Sequence, residues 1–212
     1  MKNSRVFLPL LLMLLAACSS SVRVTGSWTS PSKPAEGYKR VFVTALTKNV
    51  LARQTVEMHL EDLMRAQGVT AFGSFEIMPV GFRAKEADRD EVLSKIKKLG
   101  SEAILTIALL DQTSETRYVP GNTMMYTPMG FGYHGRFWSY YNTYNPLMYD
   151  AGYYTTDKNY YLEANLYDTD SEQLIWSSQS TTVNPSSLDG FANAFAAVVV
   201  KQLIKDGVII TP

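Results

Sequence analysis

Two short motifs carry residue types that could bind a cofactor or a metal. Gly130-Phe-Gly-Tyr-His-Gly135 has the glycine spacing of a dinucleotide-binding turn, and Asp168-Thr-Asp-Ser-Glu172 alternates carboxylates as calcium loops do. The glycines do not open a convincing helix, which a bound pyrophosphate requires. A calcium loop needs glycine at its sixth position and glutamate at its twelfth, where Gln173 and Gln179 stand. We therefore expect no cofactor, and we interpret the acidic stretch as a solvated hairpin turn.

Histidines and nucleophiles are equally sparse. His59 and His134 are the only histidines, and His59 is followed by Leu-Glu-Asp and not by the spacing of a zinc protease. No GxSxG nucleophile elbow is present. We expect no metal site and no catalytic residues, so the chain is predicted not to be an enzyme. An envelope hydrolase with an unrecognised pair of distant carboxylates stays open as an alternative.

The N-terminus has the order of a secretory signal. Lys2 and Arg5 precede an apolar run over residues 6–15, and Leu15-Ala-Ala-Cys18 follows. The run is too short to span a bilayer, which needs roughly 20 apolar residues. Residues 1–17 are predicted to be a signal peptide.

The segment ending at Cys18 resembles the lipobox of bacterial lipoproteins. That resemblance implies a diacylglycerol on the Cys18 sulfur, cleavage just before this residue, and usually an acylated amine. Cys18 is the only cysteine of the chain, which suits a thiol kept for lipidation. Aspartate directly after the lipidated cysteine resembles a signal that keeps lipoproteins in the inner membrane. Here that position is Ser19, which favours the periplasmic face of the outer membrane. A Gram-positive plasma membrane is the alternative.

The nearly balanced charge of the mature chain argues against nucleic acid and anionic lipid as partners. Without the signal peptide, 18 basic and 20 acidic side chains remain. A nearly balanced domain gives no electrostatic footprint for nucleic acid and no basic patch for anionic lipid.

The mature chain reads as one α+β or α/β domain, with about five strands in a mixed sheet and three helices. Residues 18–39, rich in Ser, Pro and Lys, are predicted to be the lipidated cysteine and a flexible tether, and 40–212 the globular domain.

The predicted elements are strand Arg40–Ala45, a helix capped by Asn49 and ending near Gln67, strand Val69–Phe75, a helix opened by Asp88 and Glu91 and stopped at Gly100, strand Ala103–Leu110 with a polar continuation to Tyr118, strands Tyr160–Tyr167 and Leu174–Thr182, and a helix from Ser187 to about Lys205.

This order of elements is similar to small periplasmic α/β lipoprotein domains. The segment from Leu166 to Trp176 looks like the hairpin common in uncharacterised bacterial lipoproteins, and the whole resembles penicillin-binding-protein activator lipoproteins, the N-terminal domain of TolB and the curli secretion lipoprotein. The resemblance implies a protein that binds other envelope proteins.

An aromatic-rich insertion over 119–158 separates the third and fourth predicted strands. It holds 11 aromatic residues and only four charges. Three interpretations stay open: a lid over the sheet, a recognition surface for an envelope protein, a glycan or the polar face of the membrane, or a disordered loop. The candidate partner-binding residues are Tyr133, Phe137, Trp138, Tyr140 and Tyr141.

Overall fold

The computed structural model describes residues 22–80, 82, 88–119 and 153–210. This part of the chain forms six strands and three helices. In chain order the elements are β1 (Val22–Thr29), β2 (Arg40–Leu46), α1 (Val50–Ala66), β3 (Thr70–Gly73), a 3-10 turn (Ser74–Glu76), α2 (Arg89–Lys98), β4 (Ala103–Val119), β5 (Tyr153–Asp168), β6 (Leu174–Val183) and α3 (Leu188–Lys205).

All six strands belong to one open mixed sheet in the order β1-β6-β5-β4-β2-β3. The strand β2 pairs in parallel with both β3 and β4, whereas β6 pairs antiparallel with β1 and β5. The expected α+β class with a mixed sheet and three helices is confirmed. The sheet has one strand more than the five expected.

The additional strand is β1, and it corrects the expectation of a flexible tether over 18–39. Residues 22–29 pair with β6, with Val22 opposite Thr182 and a register shift between Val24 and Gly26. Val22 is buried in the main core. The β-branched residues of this stretch pack against a neighbouring strand, a long-range contact that its polar composition concealed. The Pro and Gly residues that suggested a tether lie after β1, where Gly37 takes a left-handed conformation (φ +60°).

Helix boundaries follow the capping residues read from the sequence. The Asn49 side chain accepts a hydrogen bond from the Ala52 N–H at the start of α1, and Ser187 accepts one from Gly190 at the start of α3. The helix α2 differs from the expectation, because the side chain of its N-cap residue Asp88 makes no capping hydrogen bond. Glu91 pairs instead with Lys95 one turn further along.

The sheet has a core on each face. The larger core packs α1 and α3 against one face around Leu60, Phe195 and Trp176. The smaller one, Phe42 with Ile77 and Ile96, lies on the other face beneath α2. In the described part of the chain, no helix is both long and apolar enough to cross a membrane.

The chain divides into two compact units. The larger holds the described residues up to Gln112 and from Asn159 onward, and the smaller spans residues 113–158. Within the smaller unit the Thr116 and Thr156 hydroxyl oxygens lie 3.1 Å apart, and Arg117 pairs with Asp157 at 3.0 Å. Residues 153–158, predicted to belong to the aromatic insertion, are therefore part of β5.

Candidate functional site

An apolar cleft lies at the carboxyl end of β2, beside Ile107 and Leu109 of the longer strand β4. The last residue of β2, Leu46, pairs with Ala108 of the parallel strand β4, which continues past this point to Val119. The carboxyl ends of parallel strands are where α/β sheets commonly bind ligands. The helices α1 and α3 both begin at this cleft. Its volume is about 510 Å³. It is lined by Ala45, Leu46, Thr47, Asn49, Ala52, Val56, Ile107, Leu109, Tyr160, Leu162, Pro185, Ser187, Leu188 and Phe191.

The lining of this cleft suits an apolar ligand. None of the residues that line it carries a charge, and the side chains of two of its polar residues, Asn49 and Ser187, are engaged in capping helices. At the cleft, Leu46 and Leu109 remain 59% and 50% exposed. The volume falls within the roughly 300–1,000 Å³ typical of small-molecule sites. The cleft can therefore desolvate a hydrocarbon group, but it offers no charged group for acid–base chemistry.

The N-terminal strand enters the sheet at the same end. Val22 lies opposite Thr182 of β6, and Thr182 lies opposite Tyr160 of β5, which lines the cleft. With neighbouring strands about 4.8 Å apart, two spacings place the Val22 backbone roughly 10 Å from that of Tyr160. Cys18 precedes Val22 by four residues, which span at most about 14 Å.

A buried ion pair beside the cleft is structural. The Glu57 carboxylate accepts hydrogen bonds from the Ala45 N–H (2.9 Å), the Ser74 N–H (2.9 Å) and the Ser74 hydroxyl (2.6 Å). Arg53 pairs with the same carboxylate at 3.1 Å, donates to the Met78 carbonyl, and lies over the Phe75 ring. Glu57 thus ties α1 to the end of β2 and to the segment after β3, which leaves its oxygens engaged.

The predicted hairpin turn at Asp168 is confirmed. One Asp168 oxygen accepts from the Asp170 N–H and from the Ser171 N–H and hydroxyl, and the other accepts from the Tyr38 hydroxyl at 3.2 Å. Burial alone would raise the pKa of Asp168, but these hydrogen bonds outweigh it and lower the pKa below its usual value. Burial, and then the nearby Asp168 charge, raise the pKa of Tyr38. The Asp168 carboxylate therefore stabilises the hairpin turn between β5 and β6.

His59 has a carboxylate partner. Its Nε2 lies 2.9 Å from Asp189 Oδ1, whose side chain is 76% exposed. The contact joins the middle of α1 to the first turn of α3. Among the described residues, no cluster of three or more His, Cys, Asp or Glu side chains is placed to hold a metal ion.

The face of β5 and β6 away from α1 and α3 is polar. Glu163 accepts hydrogen bonds from Asn165 and Gln179 on this face, and the exposed aromatic side chains of Trp28 and Tyr161 share it. Such a surface of amides, a carboxylate and aromatic rings can bind a polar partner. Sequence reasoning missed it because it arises from pairing of three strands.

Several predicted site residues fall outside the described ranges. They are Cys18 and the aromatic candidates Tyr133, Phe137, Trp138, Tyr140 and Tyr141, as are His134 and the glycine motif. Sequence reasoning did not find the cleft either, because its lining comes from five helices and strands and from the two loops that precede α1 and α3. The lining residues Ala52, Val56 and Phe191 lie within two of the predicted helices, where no local pattern marks them as part of a cleft.

Comparison with known proteins shows distant structural likeness. No family model matches the chain, and no curated protein matches it. Among solved structures the chain is similar to the PelC dodecamer from Paraburkholderia phytofirmans, with 17% identity over 86% of this chain and 96% of that chain and a TM-score of 0.45. A point-substituted form of that PelC gives 16% identity, 86% and 97% coverage, and a TM-score of 0.44.

A bacterial lipoprotein is also among the similar structures. Lipoprotein GNA1162 from Neisseria meningitidis shares 15% identity over 78% of this chain and 98% of that chain, with a TM-score of 0.40. Likenesses at these scores carry no argument about activity.

Proposed function

We propose that the protein is a lipid-anchored, non-catalytic accessory module of the bacterial cell envelope, held at the periplasmic face of the outer membrane. One observation carries the proposal: β1 begins four residues after Cys18, the last residue of the lipobox-like Leu15-Ala-Ala-Cys18. The anchor is thus joined to a core strand of the domain by a few residues. Two or more acyl chains hold a protein firmly to a bilayer, at about 0.8 kcal/mol per buried CH₂.

The anchor is tested by chemistry at one residue. Mass spectrometry of the mature N-terminus should give an acylated Cys18, and Cys18→Ser should move the protein out of the membrane fraction. Ser20→Ala is the matched control, because it leaves the thiol in place and should stay membrane-bound. An unmodified N-terminus that starts elsewhere contradicts the proposal.

A non-catalytic role is supported by how the described ionisable groups are used. The Glu57 carboxylate holds two strand ends, Asp168 closes a turn, and His59 pairs with an exposed carboxylate. The cleft is lined without charged side chains. Turnover of an envelope polymer by the purified domain, lost on a single polar substitution, would contradict this role.

The binding partner is proposed to be an envelope protein or a glycan. Among the described residues, the polar face around Glu163 supports this proposal, because it carries the exposed aromatic residues Trp28 and Tyr161. The aromatic insertion over 119–158, with Trp138 midway along its sequence, is the second candidate surface, because Tyr and Trp dominate many interfaces. Crosslinking in intact envelopes, comparing Trp28→Ala with Trp138→Ala, identifies which surface binds. Retention of every partner by both variants contradicts the proposal.

A further inference from the structure

The apolar cleft at the carboxyl end of β2 has a hydrocarbon source within covalent reach. Val22 stands about two strand spacings from the cleft residue Tyr160, and Cys18 lies four residues before Val22. Those four residues reach about 14 Å. A fatty acyl chain reaches about 15 Å further, half the roughly 30 Å hydrocarbon core of a bilayer.

The cleft itself has the chemistry that an acyl chain needs. Its lining is mostly apolar, its residues bear no charge, and its volume is about 510 Å³. Leu46 and Leu109 expose further apolar surface there. A ligand with a charged body would lose its hydration without gaining a partner in this lining, whereas a methylene chain would lose only contact with water or lipid.

We propose that this cleft is an acyl-chain site, and that its occupant is one of the fatty acyl chains carried by Cys18 of the same molecule. The inference rests on the lipidation put forward in the proposed function. The covalent link gives the acyl chain a high effective concentration at the cleft, because binding becomes an intramolecular event. No bond forms or breaks when the chain enters.

An occupied cleft has a consequence for anchoring. A chain held in the protein is withdrawn from the leaflet, and stable attachment needs at least two chains in the membrane. The cleft therefore competes with the leaflet for part of the anchor. A protein with three chains stays attached when the cleft fills, whereas one with two is left with a single, marginal chain.

The test is photocrosslinking in the lipidated, full-length mature protein, reconstituted at one copy per lipid nanodisc. A benzophenone amino acid replaces Leu109 in the cleft or, as the matched control, Met58, an exposed residue of α1 that does not line the cleft. After irradiation and digestion, the Leu109 probe should crosslink to the Cys18 lipopeptide at least several-fold more than the Met58 probe does. Ala52→Trp, which fills the cleft, should remove this crosslink, and Met58→Trp should not.

The outcomes separate the two proposals. Crosslinks from the Leu109 probe only to nanodisc phospholipid, or to no lipid, overturn the inference while the acylated Cys18 peptide in the same digest upholds the anchor. A digest in which the Cys18 peptide carries no acyl group overturns the anchor itself. Equal lipopeptide crosslinking from both probe positions also overturns the inference, since it indicates a chain that does not enter the cleft.

Discussion

Glu57 is a buried carboxylate, and its removal would take a hydrogen-bond acceptor from several donors at once. Its side chain is 2% exposed, and in Glu57→Ala the Arg53 guanidinium would lose its carboxylate partner and two backbone N–H groups would lose their acceptor. Breaking such a pair costs about 3–5 kcal/mol. We expect a fall of that size in the free energy of unfolding, measured with urea.

The matched control is another glutamate of a helix. Glu91 forms an exposed i,i+4 pair with Lys95 on α2, and pairs of this kind contribute about 0.3–0.5 kcal/mol. Glu91→Ala should therefore change stability by less than about 1 kcal/mol. A Glu57→Ala variant no less stable than Glu91→Ala would show that the Glu57 hydrogen bonds contribute little.

Asp168 should make stability depend on acid pH. Its pKa is lower in the folded protein than the ordinary aspartate value of 3.8, so its contribution to stability is present above that value and is lost as the pH falls through the folded pKa. Asp168→Asn should lower the free energy of unfolding at pH 7. The difference in this free energy between the variant and the native protein should narrow as the pH falls below about 3.8. Unfolding in urea at several pH values measures this. Asp170→Asn, at an exposed neighbour in the same turn, is the control, and equal pH profiles for all three proteins would refute the assignment.

At the scale of elements, the start of α3 depends on Ser187. Its hydroxyl accepts the Gly190 N–H at 3.0 Å, one of the four N–H groups left unpaired at a helix start. Ser187→Ala should cost about 1 kcal/mol of unfolding free energy. The adjacent exposed Ser186 is not the N-cap residue, so Ser186→Ala should have little effect. Equal losses in the two variants would argue against the cap.

The integration of β1 is tested at its first residue. Val22 is 4% exposed within the main core, so Val22→Ala should lower the free energy of unfolding by about 1–2 kcal/mol through lost burial and the space left behind. Val183, the 47% exposed last residue of β6, is the control, and Val183→Ala should be nearly neutral. A neutral Val22→Ala would restore the tether that the sequence suggested.

Local signals in the sequence predict the elements well, and long-range pairing explains what they miss. The caps Asn49 and Ser187 predict the starts of α1 and α3, because a cap acts over three residues. The strand β1 was missed because its burial depends on β6, some 150 residues away in sequence. The cleft was missed for the same reason, since Ala45, Ile107 and Phe191 meet only after the sheet has formed.

At the scale of the whole molecule, the division into two units bears on the aromatic insertion. Every described residue of the main core belongs to the unit that holds residues up to 112 and from 159 onward. Had the aromatic side chains been needed to cover that core, the larger domain would depend on them. The alternative to such a lid is a surface that serves a partner.

Deleting 120–152 and joining β4 to β5 by a short glycine-containing turn tests this. We expect the variant to fold, to stay tethered, and to keep its free energy of unfolding within about 1 kcal/mol of the native protein, because the deletion retains every described core residue. Envelope crosslinking should then lose at least one partner, and Trp138→Ala in the intact insertion should weaken the same crosslink, because a large indole contributes strongly when it is buried in an interface. A variant that unfolds would assign the insertion to covering the core, and one that folds and keeps every partner would place recognition elsewhere, with the polar face around Glu163 as the remaining surface.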